Sequence, residues 1–153
     1  MIHYLHREQI IPAGRDRVWE YFCDPHTLNE ITPPDMNFSI VAGGDVKMYA
    51  GQLIEYRVEF IRGLRSLWLT EIAHVHDREY FVDEQRVGPY RFWYHEHHFQ
   101  EVVSGTRMID HVAYAIPFGI FGDLLDTMWI RERLRYIFDS RRQKILELFG
   151  DIE

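Results

Sequence analysis

The hydrophobic pattern of this chain changes period three times. Tyr4 to Ile11, bounded by Pro12-Ala13-Gly14, reads as a strand. Arg15 to Phe22 carries Val18, Trp19, Tyr21 and Phe22 at near-helical spacing, and Asp24-Pro25 breaks that helix. Pro25 to Ile31 predicts a second short helix, ended by Thr32-Pro33-Pro34. From Phe38 to Pro117 the period falls to that of strands: Ile54, Tyr56, Val58 and Phe60 alternate with Glu55, Arg57 and Glu59. Turns at Arg62-Gly63, His76-Asp77, Gly88-Pro89 and Ser104-Gly105 divide this region into Leu64–Val75, Arg78–Arg86, Tyr90–Val103 and Thr106–Ile116, an antiparallel meander. After Pro117 and Gly119 a helical pattern runs from about Asp123 to Phe149. Its stripe is Ile130, Leu134, Ile137, Arg141, Ile145 and Leu148, with Gly150 as a C-cap signal.

One strand, two short helices, a run of antiparallel strands and one long C-terminal helix make an α+β chain. The long helix must bury its stripe, and one face of the sheet is the only large partner. A twisted sheet curled around a helix leaves a cleft, the usual seat of a small ligand.

Composition narrows the function. The 153 residues amount to about one domain, expected to span 1–153. Lys plus Arg is 17 against 24 Asp plus Glu, a net charge of −7, which disfavours a nucleic-acid partner. A single cysteine, Cys23, excludes an intramolecular disulfide and a multi-cysteine zinc site. It reads as a small buried hydrophobe rather than a nucleophile. The N-terminus lacks a basic stretch followed by an apolar one, and the near-apolar run Ala113–Gly122 contains Pro117. A cytoplasmic protein without a transmembrane segment is therefore expected, its oligomeric state left open.

The residues Val18-Trp19-Glu20-Tyr21-Phe22-Cys23-Asp24-Pro25, Leu28-Asn29-Glu30-Ile31-Thr32-Pro33, Trp68-Leu69-Thr70-Glu71-Ile72, Phe81-Val82-Asp83-Glu84-Gln85, Gly88-Pro89-Tyr90 and Trp93-Tyr94-His95-Glu96-His97-His98-Phe99 carry a resemblance, continued by Gly105-Thr106-Arg107-Met108-Ile109-Asp110, Tyr114-Ala115-Ile116-Pro117 and Arg141. Together with the element order they resemble the helix-grip, START-like (SRPBCC) superfamily, in its bacterial ligand-binding, polyketide cyclase/dehydrase-like branch. That resemblance implies a helix-grip fold with a hydrophobic cavity between sheet and C-terminal helix. It names no ligand, catalytic motif or cofactor.

Turn lengths set an expected register. A turn at Ser104-Gly105 places His97 opposite Val112 and His95 opposite Tyr114; a turn at His76-Asp77 places Ile72 by Phe81 and Thr70 by Asp83. The Gly88-Pro89 hairpin puts Phe81 beside His95 and Asp83 beside Trp93. One continuous face results: Trp68, Thr70, Ile72, Phe81, Asp83, Gln85, Trp93, His95, His97, Phe99, Met108, Asp110, Val112 and Tyr114. It is richer in large apolar groups than the opposite face and is placed inward. Phe121, Met128 and the stripe residue Arg141 join it as expected ligand contacts. Ile116, Phe118, Ile120, Phe121, Leu124, Leu125, Met128 and Trp129 crowd the bend before the helix, as ordinary core or as an apolar gate.

Two His–carboxylate pairs are expected on the inner face, His95 with Asp83 and His97 with Asp110. Such pairs serve as a bracing network, as polar anchors that orient a carbonyl or hydroxyl, or as acid–base groups of a cyclase, dehydrase or hydrolase. His95-Glu96-His97 also has a spacing that can chelate a first-row metal, with Asp83 or Asp110 as a third ligand. A strand-borne His-x-His is weak evidence alone, so neither metal nor cofactor is assigned. The leading expectation is a binder of a hydrophobic or aromatic small molecule, lipid, isoprenoid or polyketide-like. An enzyme using His95, His97, Asp83 and Asp110 is the alternative, and a partner-docking protein with a vestigial cavity is the third.

Overall fold

The computed structural model describes residues 1–150 and opens with β1 (His3–Ile11), which Pro12 and Gly14 end. α1 (Arg15–Phe22) follows and buries Val18, Trp19 and Phe22. The second helix, α2 (Thr27–Ile31), is shorter than the expected Pro25–Ile31. The Asp24 carboxylate accepts the His26 N–H at 2.9 Å, and the Thr27 hydroxyl donates to the Tyr21 and Asp24 carbonyls, so the first residues form a side-chain-capped turn. A single 3-10 turn, Pro34–Met36, stands where the pattern read a loop.

Six further strands complete the sheet: β2 (Ser39–Ala42), β3 (Leu53–Ile61), β4 (Leu64–His76), β5 (Tyr80–Val87), β6 (Phe92–Val102) and β7 (Gly105–Ala115). All pairings are antiparallel, in the order β1-β7-β6-β5-β4-β3-β2. The chain's first strand therefore lies beside its last, with the meander running outward from it.

The register differs from the turn-count expectation. The last hairpin turns at Val103-Ser104, so His97 faces Asp110, His95 faces Val112 and Phe99 faces Met108. The β4–β5 turn takes three residues, with Arg78 at φ 62°, and a register shift between Ile72 and His74 takes one residue back, so that Ile72 faces Asp83 while Thr70 faces Gln85. Across β5–β6, Asp83 faces His95 and Phe81 faces His97. These partners sit two positions from the expected ones. Because side chains alternate with a period of two, an even slip changes neighbours but leaves each residue on its face.

The C-terminal helix begins earlier than about Asp123. Phe118 takes the left-handed region at φ 75°, releasing the chain from Pro117 into α3 (Gly119–Leu125). A π turn over Asp126–Ile130 leads into α4 (Arg131–Phe149). The wider turn sets the fully buried Asp126 against the sheet, where Tyr114 Oη donates to it at 2.7 Å and His3 Nδ1 lies 3.2 Å away. Arg131 completes this anchor at 3.1 Å, fixing the helix start to β1 and β7.

Of the bend residues only Ile116 is core. Phe118, Ile120, Phe121, Leu124, Leu125, Met128 and Trp129 are exposed, Phe121 at 78% and Met128 at 71%. Anchoring through Asp126 turns the opposite side of α3 to the sheet. The expected ligand contacts Phe121 and Met128 are thereby corrected to surface positions. Phe121→Asp should change unfolding stability by no more than about 0.5 kcal/mol in urea titration, because no packed partner is lost. Among the described residues, no helix is long and apolar enough to cross a membrane.

Candidate functional site

A cavity of about 170 Å³ lies between β3–β6, α2 and α4. Its place follows from how the helices cover the sheet. α1 packs on β6 and β7, so Phe99 and Met108 join Trp19, Phe22 and Ile145 in one core cluster. Val112 and Tyr114 pack with Leu134 and Phe138 of α4 in a second cluster. The half of the sheet under β3, β4 and β5 keeps the free space.

Of the residues expected to contact a ligand, Trp68, Thr70, Ile72, Phe81, Asp83, Trp93, His95, His97 and Arg141 line this cavity. Phe99, Met108, Val112 and Tyr114 are core residues outside it, covered by α1 and α4. Gln85 does not line it either: its amide donates to the Tyr90 carbonyl at 2.7 Å and accepts the Tyr90 N–H at 3.1 Å, bracing the β5–β6 turn. Asp110 stands behind the imidazoles rather than in the wall.

Several lining residues were not assigned to the site from sequence. Tyr56, Val58 and Phe60 of β3 face inward, as their alternation required, and only the pairing of β3 with β4 fixes them over the cavity. Leu134, Ile137 and Phe138 bring in α4. Leu28, Ile31, Phe38 and Met48 come from segments without a clear period, so their spacing carried no signal. The lining residues Asp24, Thr27, Leu28, Thr32 and Met48 are partly or fully exposed and mark the opening between α2 and the segment before β3. Met36, Phe38 and Met48 line the cavity from the segments on either side of β2, whereas the 117–123 bend contributes no lining residue.

Three polar wall residues, Asp83, His95 and His97, close into a ring with Asp110 behind them. Instead of two separate pairs, each imidazole lies between the same two carboxylates. His95 Nε2 contacts Asp110 Oδ1 at 2.9 Å, and His97 Nε2 contacts Asp83 Oδ2 at 2.6 Å. The remaining nitrogens are also close: His95 Nδ1 is 3.5 Å from Asp83 Oδ2, and His97 Nδ1 is 3.1 Å from Asp110 Oδ1, misaligned for a hydrogen bond. The ring centroids are 3.7 Å apart, Phe81 stacks on His97 at 4.1 Å, and Trp93 Nε1 donates to Asp83 Oδ1 at 3.3 Å. Arg141, itself buried, reaches Asp110 at 4.0 Å.

Electrostatics divide the two histidines. Burial pushes His97 down, but its contacts with Asp110 and Asp83 outweigh burial and raise it above the ordinary imidazole value. His95 is lowered, first by burial and then by repulsion from His97, despite both carboxylates. Burial pushes both carboxyls up; at Asp83 the neighbouring His95 and His97 imidazoles overcome it, and at Asp110 Arg141 leads, holding that group well below the usual carboxylate range. Of the two imidazoles His97 is the one that favours the proton, and one imidazolium with Arg141 balances the two carboxylates, which suits a dry site. In the tautomer that donates Nε2–H to Asp110, His95 keeps an Nδ1 lone pair, 3.5 Å from Asp83 Oδ2, that can accept a hydrogen bond or a proton. Cys23 offers no comparable chemistry, since burial first of all pushes its thiol up to about 12.

No protein-family profile matches the chain, and no curated protein matches it by sequence. Solved structures do match. A START superfamily protein from Mycobacterium smegmatis aligns over 95% of this chain and 99% of its own, with a TM-score of 0.71 at 11% identity. A protein from Thermus thermophilus aligns over 95% of this chain and 99% of its own, with a TM-score of 0.72 at 19% identity. The KanY protein aligns over 99% of both chains, with a TM-score of 0.74 at 10% identity. At such identities the likeness is one of fold: a curved antiparallel sheet gripping a long C-terminal helix, the START-like helix grip.

Proposed function

We propose that this helix-grip chain binds a ring-sized hydrophobic molecule carrying one hydroxyl or carbonyl group, with the ring in the apolar part of the cavity and the polar group at His95. The observation that carries this reading is a polar patch of Asp83 and the buried His95 and His97, with Thr70 and Arg141 also in a wall dominated by apolar and aromatic side chains. Such a wall supplies affinity by apolar burial, and the few polar groups fix orientation. Volume decides the size class. An apolar cavity of about 150 Å³ holds a benzene molecule, and this one, at about 170 Å³, suits a single substituted ring. A lipid chain or fused polyketide is larger and would require α2 and Met48 to give way.

The test compares p-cresol with toluene, followed through the indole N–H resonances of Trp68 and Trp93. Both should perturb these signals. p-Cresol should bind about tenfold more tightly, the value of one net hydrogen bond of roughly 1.5 kcal/mol. Equal affinities would remove His95 from the recognition of the polar group; no perturbation by either compound would overturn the reading.

A further inference from the structure

The ring of two imidazoles and two carboxylates has a polarity in space. On one side His95 Nδ1 and His97 Nε2 both converge on one oxygen of the cavity-lining Asp83, Oδ2, at 3.5 and 2.6 Å. On the other, His95 Nε2 and His97 Nδ1 both converge on one oxygen of Asp110, Oδ1, at 2.9 and 3.1 Å. We infer that Asp83, His95 and His97 form a binding site for a divalent first-row transition metal ion, backed by Asp110, which orients His95 and stands close to His97.

Three observations carry this. First, one donor atom from each of Asp83, His95 and His97 lies within 4.8 Å of the other two. Tetrahedral donors at about 2.0 Å from zinc stand roughly 3.3 Å apart, so small rotations about the side-chain torsions bring the set to bonding distance. Secondly, a histidine ligand commonly gives its other ring N–H to a carboxylate, which fixes the tautomer and raises its basicity. Asp110 takes that position for His95 at 2.9 Å and lies 3.1 Å from Nδ1 of His97, with Arg141 behind it at 4.0 Å. A ring whose only task was to brace the sheet would not need one nitrogen of each imidazole on one oxygen and the other nitrogen on another.

Thirdly, the three donors line the cavity while Asp110 does not, so an ion held there keeps an open position toward the cavity. Three protein ligands with one open side is the arrangement of reactive rather than purely structural sites. Two imidazoles of three donors select zinc, cobalt, iron or nickel over magnesium or calcium, which take oxygen ligands. This inference does not depend on the organic ligand proposed above, since every donor belongs to the chain.

A surface pair must be separated from it. His6 and His111 approach each other at 3.2 Å between Nδ1 atoms on the exposed face and could also hold a metal. The experiment titrates the full chain, stripped with chelator, with Co²⁺ followed by visible absorption and with Zn²⁺ followed by calorimetry. The expected result is one Co²⁺ per chain with the absorption of a four- or five-coordinate site, displaced by Zn²⁺. Paramagnetic broadening should fall on the Trp93 indole N–H, which bonds Asp83; this readout needs no variant. Asp83→Asn and His97→Gln should weaken Zn²⁺ binding by at least about 100-fold, and Asp110→Asn by about 10- to 100-fold. His6→Ala/His111→Ala should leave it unchanged. Absence of stoichiometric Co²⁺ binding, or binding lost in the His6/His111 variant with Trp93 unbroadened, would overturn the inference.

Discussion

Asp110→Asn should lower the unfolding free energy by about 3–5 kcal/mol, the usual cost of removing one partner from a buried ionic network. The substitution keeps the shape of the side chain and removes its charge. Arg141 then remains buried over Phe22 and near Phe138 with no carboxylate beside it. His95 loses its charged acceptor at 2.9 Å, and His97 loses one of the two carboxylates that hold its proton. Urea titration is the measurement, with an unchanged slope confirming that stability rather than the extent of unfolding has moved. Arg141→Met/Asp110→Leu should recover much of the loss, because apolar groups of similar size often replace a buried ion pair without net cost.

The second large effect is a dependence of stability on pH with a maximum near neutrality. His97 is raised in the folded state, so its contribution is complete below the unfolded imidazole value of about 6.5 and is lost as pH climbs through the raised folded value. His95 is lowered, so its contribution is complete above about 6.5 and is lost as pH falls through the lowered folded value. Asp83 and Asp110, both held low, add a further loss as pH falls from about 3.9 through their folded values. Urea midpoints across pH 3 to 9 should trace this curve, the two limbs belonging to the cluster as a unit. His97→Gln should flatten the alkaline limb. A curve of the same shape in that variant would place the titrating groups elsewhere.

Much of the architecture was legible because it rests on period and punctuation. The α1 boundaries Arg15–Phe22, the β3 alternation and the Arg62-Gly63 turn could be read directly, since prolines, glycines and one-residue alternation are local signals. The inner face was legible for a related reason: parity survives a two-residue slip, so His95, His97, Asp83 and Asp110 share a face under either register. Their grouping into one ring was not, because it depends on which residues stand directly opposite. That was set by the β5–β6 register, which puts Asp83 on His95, and by hairpin closure at Val103-Ser104. The exposure of Phe121 and Met128 was equally hidden. Apolar residues before a long helix read as core, and only the π turn and buried Asp126 show which side of α3 meets the sheet. α2 and Met48, which border the mouth, lie in stretches too short or irregular to carry a period.

The central claim, that the cavity takes one small ring molecule, is tested most directly by native mass spectrometry of the chain equilibrated with p-cresol, beside a Leu28→Trp variant. Leu28 stands half-buried at the mouth, where an indole would fill the opening without entering the main core. One p-cresol adduct per chain in the parent protein, lost in Leu28→Trp, is the predicted result. No adduct in the parent, or an adduct equally abundant in the variant, would contradict it.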